Sequence, residues 1–401
     1  MPMRALIAGG GIAGLACGVA LRRAGIAATV LERRDAATDE AGSWLQVAGN
    51  GMAALEALGL GEVASGLGEP SGRLRTHAAD GRTTADMPFG PRPGRGPSAR
   101  TLMRAELHGI LRQEAERQGV DIIRGARVTS AEQDVHGASL VTATGERHSA
   151  DLVIGADGVR SAVRATILPP DPAAAPAAPT MVDIVGSAAA ASLPEEYAAP
   201  AGTLQFRFGR DCFVATVALR DGSTWWFANP RLSALPGGAA SAAHLSPDEW
   251  AEAVVRLAAP DALPVEHLVA EAPRLVARLS ARAAPQARWG SGRCVLVGDA
   301  AHTMPSTSGQ GASLALEDAV VLGRIIGSTS SPTDVVASLA RRRDERVARI
   351  IAQGTLLDRS KLLGPVGSLL RDRVVLPLAA RDAARTGSGP SSWMYEFTDE
   401  G

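Results

Sequence analysis

Three glycines at positions 9, 11 and 14 stand in the order G-x-G-x-x-G, with Ala13 inside the motif and a carboxylate following at Glu32. Residues this small let a backbone come close to an anion, and the free N–H groups at a helix start attract one. The chemistry implied is the binding of a dinucleotide pyrophosphate. Gly9 permits a tight turn, Gly11 gives the pyrophosphate room, and Gly14 lets helix and strand pack closely. Glu32 is placed to accept hydrogen bonds from an adenosine ribose, and its charge repels a 2′-phosphate, which argues against NADP at this site. The motif leaves open whether the ligand is FAD or NAD(P). Two further clusters carry polar chemistry. Asp157 and Arg164 fall in a Gly- and Ser-containing stretch, and Asp299 follows an apolar run with His302 three residues on.

The elements that must position these groups are readable from periodicity. Residues 3–8 are an apolar run expected to be a buried strand, residues 15–24 carry helical spacing, and 29–32 form a second strand ending at Glu32. This strand–turn–helix–strand context gives the glycine motif its meaning. Residues 101–118 read as an amphipathic helix with Leu102, Leu107 and Leu111 on one face and Arg104 near its start; 121–129, 138–154 and 293–297 read as strands. A Pro/Ala tract at 169–179 marks a crossing between units. Strand patterns dominate 180–229, with Asp221-Gly222 as a hairpin signal, and helices are expected at 247–258, 264–279, 311–327 and through most of the chain to about 386. The expected fold is α/β, with a discontinuous Rossmann-type domain from residues 1–75, 100–170 and 285–330. A β-rich substrate domain from 76–99 and 180–284 is inserted in it, and a helical segment, 331–401, follows.

Composition excludes several alternatives. Lys361 is the only lysine among 41 basic residues, leaving 41 − 1 = 40 arginines. A P-loop and a pyridoxal-phosphate enzyme both need a lysine, and this one lies in a charged C-terminal stretch. A net charge of −1 provides no footprint for nucleic acid or an anionic membrane. Cys17, Cys212 and Cys294 form no C-x-x-C, which fits buried thiols in a reducing cytosol, and the seven histidines show no metal-ligand spacing. The N-terminal apolar run is broken by its glycines and reads as fold motif rather than signal peptide. A cytoplasmic location without metal is expected. Residues 362–385 have an alternative reading as a membrane-surface helix, but Arg371, Asp372, Arg373 and Arg381 favour ordinary packing.

Taken in order, Gly9-x-Gly11-x-x-Gly14 with Glu32, Asp151-Leu-Val-Ile-Gly-Ala-Asp157-Gly158 through Arg164, and Gly298-Asp299-Ala-Ala-His302-Thr-Met-Pro305 running into Gly309-Gln310-Gly311 resemble the single-component (class A) FAD-dependent aromatic hydroxylases, of the short salicylate-hydroxylase-like or urate-hydroxylase-like type. The resemblance implies FAD as cofactor, with NAD(P)H as a transient co-substrate, because only one G-x-G-x-x-G is present. It implies a cycle of hydride transfer, O2 addition to give a C4a-(hydro)peroxyflavin, and hydroxylation of a small aromatic or heteroaromatic substrate, secondary metabolism being one setting. Epoxidation or Baeyer–Villiger oxidation on the same scaffold is the alternative, and a non-enzymatic flavin-binding regulator is a weaker one. The lack of a lysine in the body of the chain and the absence of W-x-W-x-I-P argue against a halogenase. By the same resemblance, Asp299 holds the ribityl hydroxyls, and Gly311 and Ala312 present N–H groups to the N1/O2 edge of the isoalloxazine. Pro305 fixes the backbone beside the ring. Arg104 contacts the ribityl–phosphate side, Val128 the adenine, and Arg33 runs along the adenosine. Asp157 and Arg164 support the pyrophosphate and NAD(P)H binding, and His302 packs below the flavin. Ser313 and Gly49 depart from the usual family residues.

The substrate side is the least determined. Alternation puts Leu204, Phe206 and Phe208 on one strand face and Gln205 and Arg207 on the other, and opposes Trp225 to Trp226. Which face meets the flavin is open; Arg207 and Trp226 are the candidate substrate contacts. No catalytic base is named, since Tyr197 and Tyr395, the only tyrosines, do not fall where a phenol-activating relay is expected. The expected partners are a small molecule, O2 and NAD(P)H, with the protein a monomer or homodimer.

Overall fold

The computed structural model describes residues 3–35, 44–170, 180–189, 193–242, 244–272, 275–279, 287–304, 308–328, 331–361 and 363–397. Its nucleotide sheet has six strands in the spatial order 290–291, 294–296, 152–155, 4–8, 27–32, 121–124. All neighbours are parallel except the short 290–291 pair. Strands Arg4–Ala8, Leu152–Gly155 and Cys294–Leu296 are almost continuously buried, as a parallel sheet covered on both faces requires. Helix Ile12–Arg23 lies on this sheet and packs against helix Gly311–Ser328. They approach so closely that a Cβ on Gly323 would come within 2.9 Å of the Ala20 Cβ.

A second, seven-stranded sheet is ordered 276–279, 182–189, 223–230, 212–218, 203–208, 73–77, 83–88. Gly222, at φ +86°, turns the chain between Cys212–Ala218 and Ser223–Pro230, the expected hairpin. One face of this sheet is covered by helices Pro247–Ala258 and Val265–Ala270 over Val182, Ile184, Val214 and Trp226. The helix at 247–258 forms as predicted, with Ser246 and Glu249 closing a capping box.

The helix expected over 264–279 is instead two elements. It stops at Ala270, ahead of Pro273 in the sequence, and Val276–Leu279 pairs as an edge strand with Val182–Val185. Likewise 121–129 and 138–154 each divide, giving strands 121–124, 128–133, 138–142, 147–150 and 152–155.

The long helix Val335–Ser360 runs beside helix 311–328 and leads into the helical stretch 365–386. Arg371 and Asp372 there are buried and paired, Nε and Nη2 donating to the two carboxylate oxygens at 2.6 and 2.9 Å. Residues Ser392–Tyr395 then fold back onto the body, where Tyr395 meets Phe89 with ring centroids 5.0 Å apart. Cys17, Cys212 and Cys294 are buried free thiols.

Candidate active site

The glycine turn is built by close approach. Gly9 takes φ +100° and donates its N–H to the Leu31 carbonyl at 2.8 Å, while a Cβ on Gly14 would sit 1.9 Å from the Gly9 carbonyl oxygen. Gly11 is different: a Cβ there would meet no protein atom within 4 Å. The Glu32 carboxylate accepts from the N–H groups of Gly10 at 2.7 Å and Arg34 at 3.0 Å, and His108 Nε2 lies 2.8 Å from the Gly10 carbonyl. Arg33 is exposed beside Glu32, Ala13 packs against Gly298, and Val128 opens strand Val128–Gln133 against the core.

Asp157 caps a helix. Its Oδ2 accepts from the N–H groups of Ala162 and Val163 at 2.7 and 3.1 Å, while its buried Oδ1 has no partner in the protein. Arg164 crosses to the third motif, donating to the Ala300 carbonyl at 2.7 Å. Asp299 is accessible at the end of the Cys294–Leu296 strand segment but closely surrounded. That crowding pushes its carboxyl above the usual range, against the lowering effect of His302, Arg104 and Arg164. Pro305 lies outside the described residues.

His302 is part of a buried ionic scaffold rather than exposed to reacting atoms. Its Nε2 is 2.6 Å from Asp318 Oδ2, which also accepts from the Gly298 N–H at 2.9 Å. Arg343 donates through Nε to Asp318 and through Nη1 to Glu317, and Arg346 and Asn50 complete Glu317. Burial pushes the Asp318 carboxyl up, but His302 and Arg343 outweigh it and hold it at about 2. Asn50 also donates to Gln310 Oε1 at 2.8 Å, and Ser313 Oγ accepts from the Ala48 N–H at 3.1 Å. Ser313 therefore sits in the joint between helix 49–57 and the start of helix 311–328, whereas Gly49 abuts Pro91, Pro97 and Tyr395.

That helix start opens onto a cleft of about 510 Å³. Ser308, Gly309, Gly311, Ala312 and Arg104 form one side; Asp183, Val185, Leu204, Phe206, Phe208 and Phe227 of the second sheet form another, and Trp44, Leu376 and Tyr395 close it. The open sheet face is thus the Phe206 face. Arg207 and Trp226, the sequence candidates, are not in this lining and point the other way. Arg207 is buried beside Gln205 and over the Tyr197 ring at 4.8 Å, its guanidinium pulled down to about 10 by burial with Tyr197 opposing. Trp226 fills the core under the helices, with its ring over Gly186. Alternation correctly opposes the two sets, but choosing the face requires the helices that cover one of them.

The residues fit FAD. Open space at Gly11, the unpaired buried oxygen of Asp157, and the unpaired buried amide nitrogens of Gln46 and Gln310 beside the Gly309–Ala312 turn are what a bound dinucleotide would fill or satisfy. Residues 3–353 match the family described as FAD binding domain. The chain belongs to this family. It is 33% identical over 348 residues to the aurachin C monooxygenase/isomerase of Stigmatella aurantiaca, covering 86% of this chain and 85% of that protein. The FAD-dependent urate hydroxylase of Klebsiella pneumoniae is 30% identical over 364 residues, 87% of each chain. Among solved structures, Klebsiella pneumoniae HpxO complexed with FAD and uric acid superposes with a TM-score of 0.82 at 25% identity, covering 97% of both chains. The protein is an FAD-dependent monooxygenase with the mixed α/β fold of this family. Among the described residues, no helix is long and apolar enough to cross a membrane, and no group of three or more His, Cys, Asp or Glu could hold a metal.

Proposed function

We propose that the enzyme uses NAD(P)H and O2 to hydroxylate a small, largely apolar aromatic or heteroaromatic molecule bound in the 510 Å³ cleft. One observation carries this reading. The cleft joins the Gly309–Ala312 helix start to the aromatic face of Phe206, Phe208 and Phe227, so a flat ring held there lies beside the flavin edge. When bound, FAD supplies the redox chemistry, accepting hydride equivalents and activating O2. The chain's own residues position, charge and shield it.

Gly9, Gly11, Ala13 and Gly14 cradle the pyrophosphate at the start of helix Ile12–Arg23, with Glu32 for the ribose and Arg33 and Val128 along the adenosine side. Asp299 and Arg104 hold the ribityl chain, and Asp157, braced with Arg164, flanks the pyrophosphate. The N–H groups of Gly311 and Ala312 favour negative charge on the neighbouring ring edge, a preorganised dipole rather than a titrating group. His302 keeps the Asp299 segment at its set height through Asp318. The apolar wall and the returning Tyr395 exclude water from the reacting face. A cytoplasmic enzyme, monomeric or dimeric, fits this reading.

The test is to purify the flavin-loaded protein and follow NADH and NADPH oxidation with a panel of neutral bicyclic aromatics, identifying products by mass. A product heavier by one oxygen, formed with substrate-stimulated nicotinamide oxidation, is expected. A flavin that neither nicotinamide reduces, with any panel member, would overturn the proposal.

A further inference from the structure

One end of the cleft carries a guanidinium that the fold has already fixed. Arg371 lines the cleft and is 6% exposed, with its guanidinium carbon 4.1 Å from the centre of the Phe208 ring. Its Nε and Nη2 donate to the two oxygens of Asp372 at 2.6 and 2.9 Å, and its Nη1 donates to the Ser360 carbonyl at 2.7 Å. Residues i and i+1 of an α-helix point apart and do not face each other. This pair meets where the helix widens into the π turn Arg371–Val375, a distortion that recurs at functional sites. A guanidinium has five N–H donors, so with three placed, one remains on each terminal nitrogen.

The sheet sets where this group stands. In the strand register Phe206 and Phe227 flank Ala215, and Phe208 pairs with Phe213 one same-face step further along. At the other end Trp44 packs on Phe227, with ring centroids 5.8 Å apart, and its strand carries Gln46, whose side chain lies against Gly309. The flavin-edge side of the cleft is therefore the Trp44–Phe227 side, and Arg371 stands over the next row, about 7 Å on. A bicyclic ring spans that distance. Asp372, the Ser360 carbonyl and Phe208 already hold the guanidinium, so it loses little freedom on meeting a ligand. Two N–H groups left over on a buried cation call for an oxygen. Asp372 compensates the charge of Arg371 without using up its donors, which leaves a neutral carbonyl as eligible as a carboxylate.

We infer that Arg371 is the polar anchor of the substrate, donating to an sp2 oxygen, of a carbonyl or a carboxylate, on the edge of the aromatic ring that points away from the flavin. Asp372 is a positioning residue that acts through it. This rests on the cleft being the substrate site, as proposed above, and it deepens that reading by naming the group the ring must carry.

The experiment uses three probes of nearly one shape, 2-acetylnaphthalene, 2-naphthoate and 2-isopropylnaphthalene, titrated into the FAD-loaded enzyme while the flavin absorbance is followed. Binding is read without turnover, so a failure of nicotinamide oxidation and a failure of this anchor are separate results. The wild type is expected to bind each oxygen-bearing probe about tenfold more tightly than the isopropyl compound, the worth of one hydrogen bond to a charged donor, although the hydrocarbon is the most apolar. The larger of the two gains tells whether the natural group is a carbonyl or a carboxylate. The double variant Arg371→Met with Asp372→Leu removes both charges together and leaves neither buried alone. It should bring acetylnaphthalene and isopropylnaphthalene within about twofold of each other at unchanged FAD content. Asp372→Asn, which offers the fork one oxygen in place of two, should cut the oxygen preference by about threefold and leave the isopropyl affinity as it was. Loosening of the fold would instead weaken all three probes alike, and that result would overturn the positioning role. Equal affinity of the wild type for the acetyl and isopropyl compounds, or a preference that survives the double variant, would overturn the anchor alone. Binding of no probe would overturn the cleft as the ring site and the anchor with it. If the double variant does not fold, the wild-type ranking and Asp372→Asn still decide the assignment.

Discussion

His302 Nε2 and Asp318 Oδ2 lie 2.6 Å apart, both side chains almost wholly buried, and the bond ties the Gly298–His302 segment to helix Gly311–Ser328. The Asp299 backbone is thereby held by a pair of ionisable groups that never face the cleft. Breaking a buried pair of this kind leaves one partner uncompensated, at a typical cost of about 3–5 kcal/mol. Asp318→Asn should therefore lower the urea midpoint markedly and release FAD during purification, whereas a purely catalytic role for His302 would leave stability unchanged.

The pH dependence follows from the same pair. The Asp318 carboxyl is held at about 2, below its unfolded value of roughly 3.9, so the stability it contributes is complete above pH ~4. It is lost as pH falls through 2. Urea unfolding of the wild type should weaken steeply between pH 4 and 2, and Asp318→Asn should flatten that limb; an unchanged acid limb would count against the arrangement.

Gly11 and Gly14 separate cofactor binding from folding. Gly11→Val places its side chain in space no protein atom occupies, so the apo-protein should unfold at nearly the wild-type temperature while flavin loading falls by on the order of a hundredfold. Gly14→Val drives a side chain into the Gly9 carbonyl and should fail to accumulate as folded protein. Flavin absorbance and thermal melts together distinguish the two.

Asp299→Ala should yield weakly flavin-loaded protein with the fold intact, because the residue is exposed rather than part of the buried core. Full flavin occupancy in that variant would remove Asp299 from the ribityl site.

The two faces of the second sheet should respond differently. Phe206→Ala opens the cleft wall and is expected to raise KM for an aromatic substrate by roughly tenfold at modest cost in stability. Trp226→Ala empties the core under the helices and should cost about 3–5 kcal/mol, read as a lowered melting temperature. A selective KM effect for Arg207→Met, with Phe206→Ala silent, would reverse the assignment of faces.

What could be read from the chain beforehand is what the backbone itself dictates. Gly9, Gly14 and Glu32 answer to local sterics and hydrogen bonding, and Asp299 follows directly from a buried strand, so short-range pattern suffices. Phe206 against Arg207 shows the limit: period-two alternation opposes them but does not say which side the helices at 247–270 will cover. Tyr395 and Trp44 reach the cleft through contacts spanning much of the chain. The helix expected over 264–279 failed for a related reason, because the edge of a sheet recruits Val276–Leu279 into pairing.

The return of Ser392–Tyr395 to the cleft has a consequence for synthesis. A ribosome that has delivered residues 1–350 has released every strand of both sheets, yet Tyr395, which closes the ring pocket, is still to come. The nascent chain therefore exposes the flavin edge to solvent until residue 395 has emerged. Pulse-labelled chains arrested short of residue 390 should bind the cofactor loosely and exchange it freely, and capture should become durable only when the Tyr395 turn has emerged.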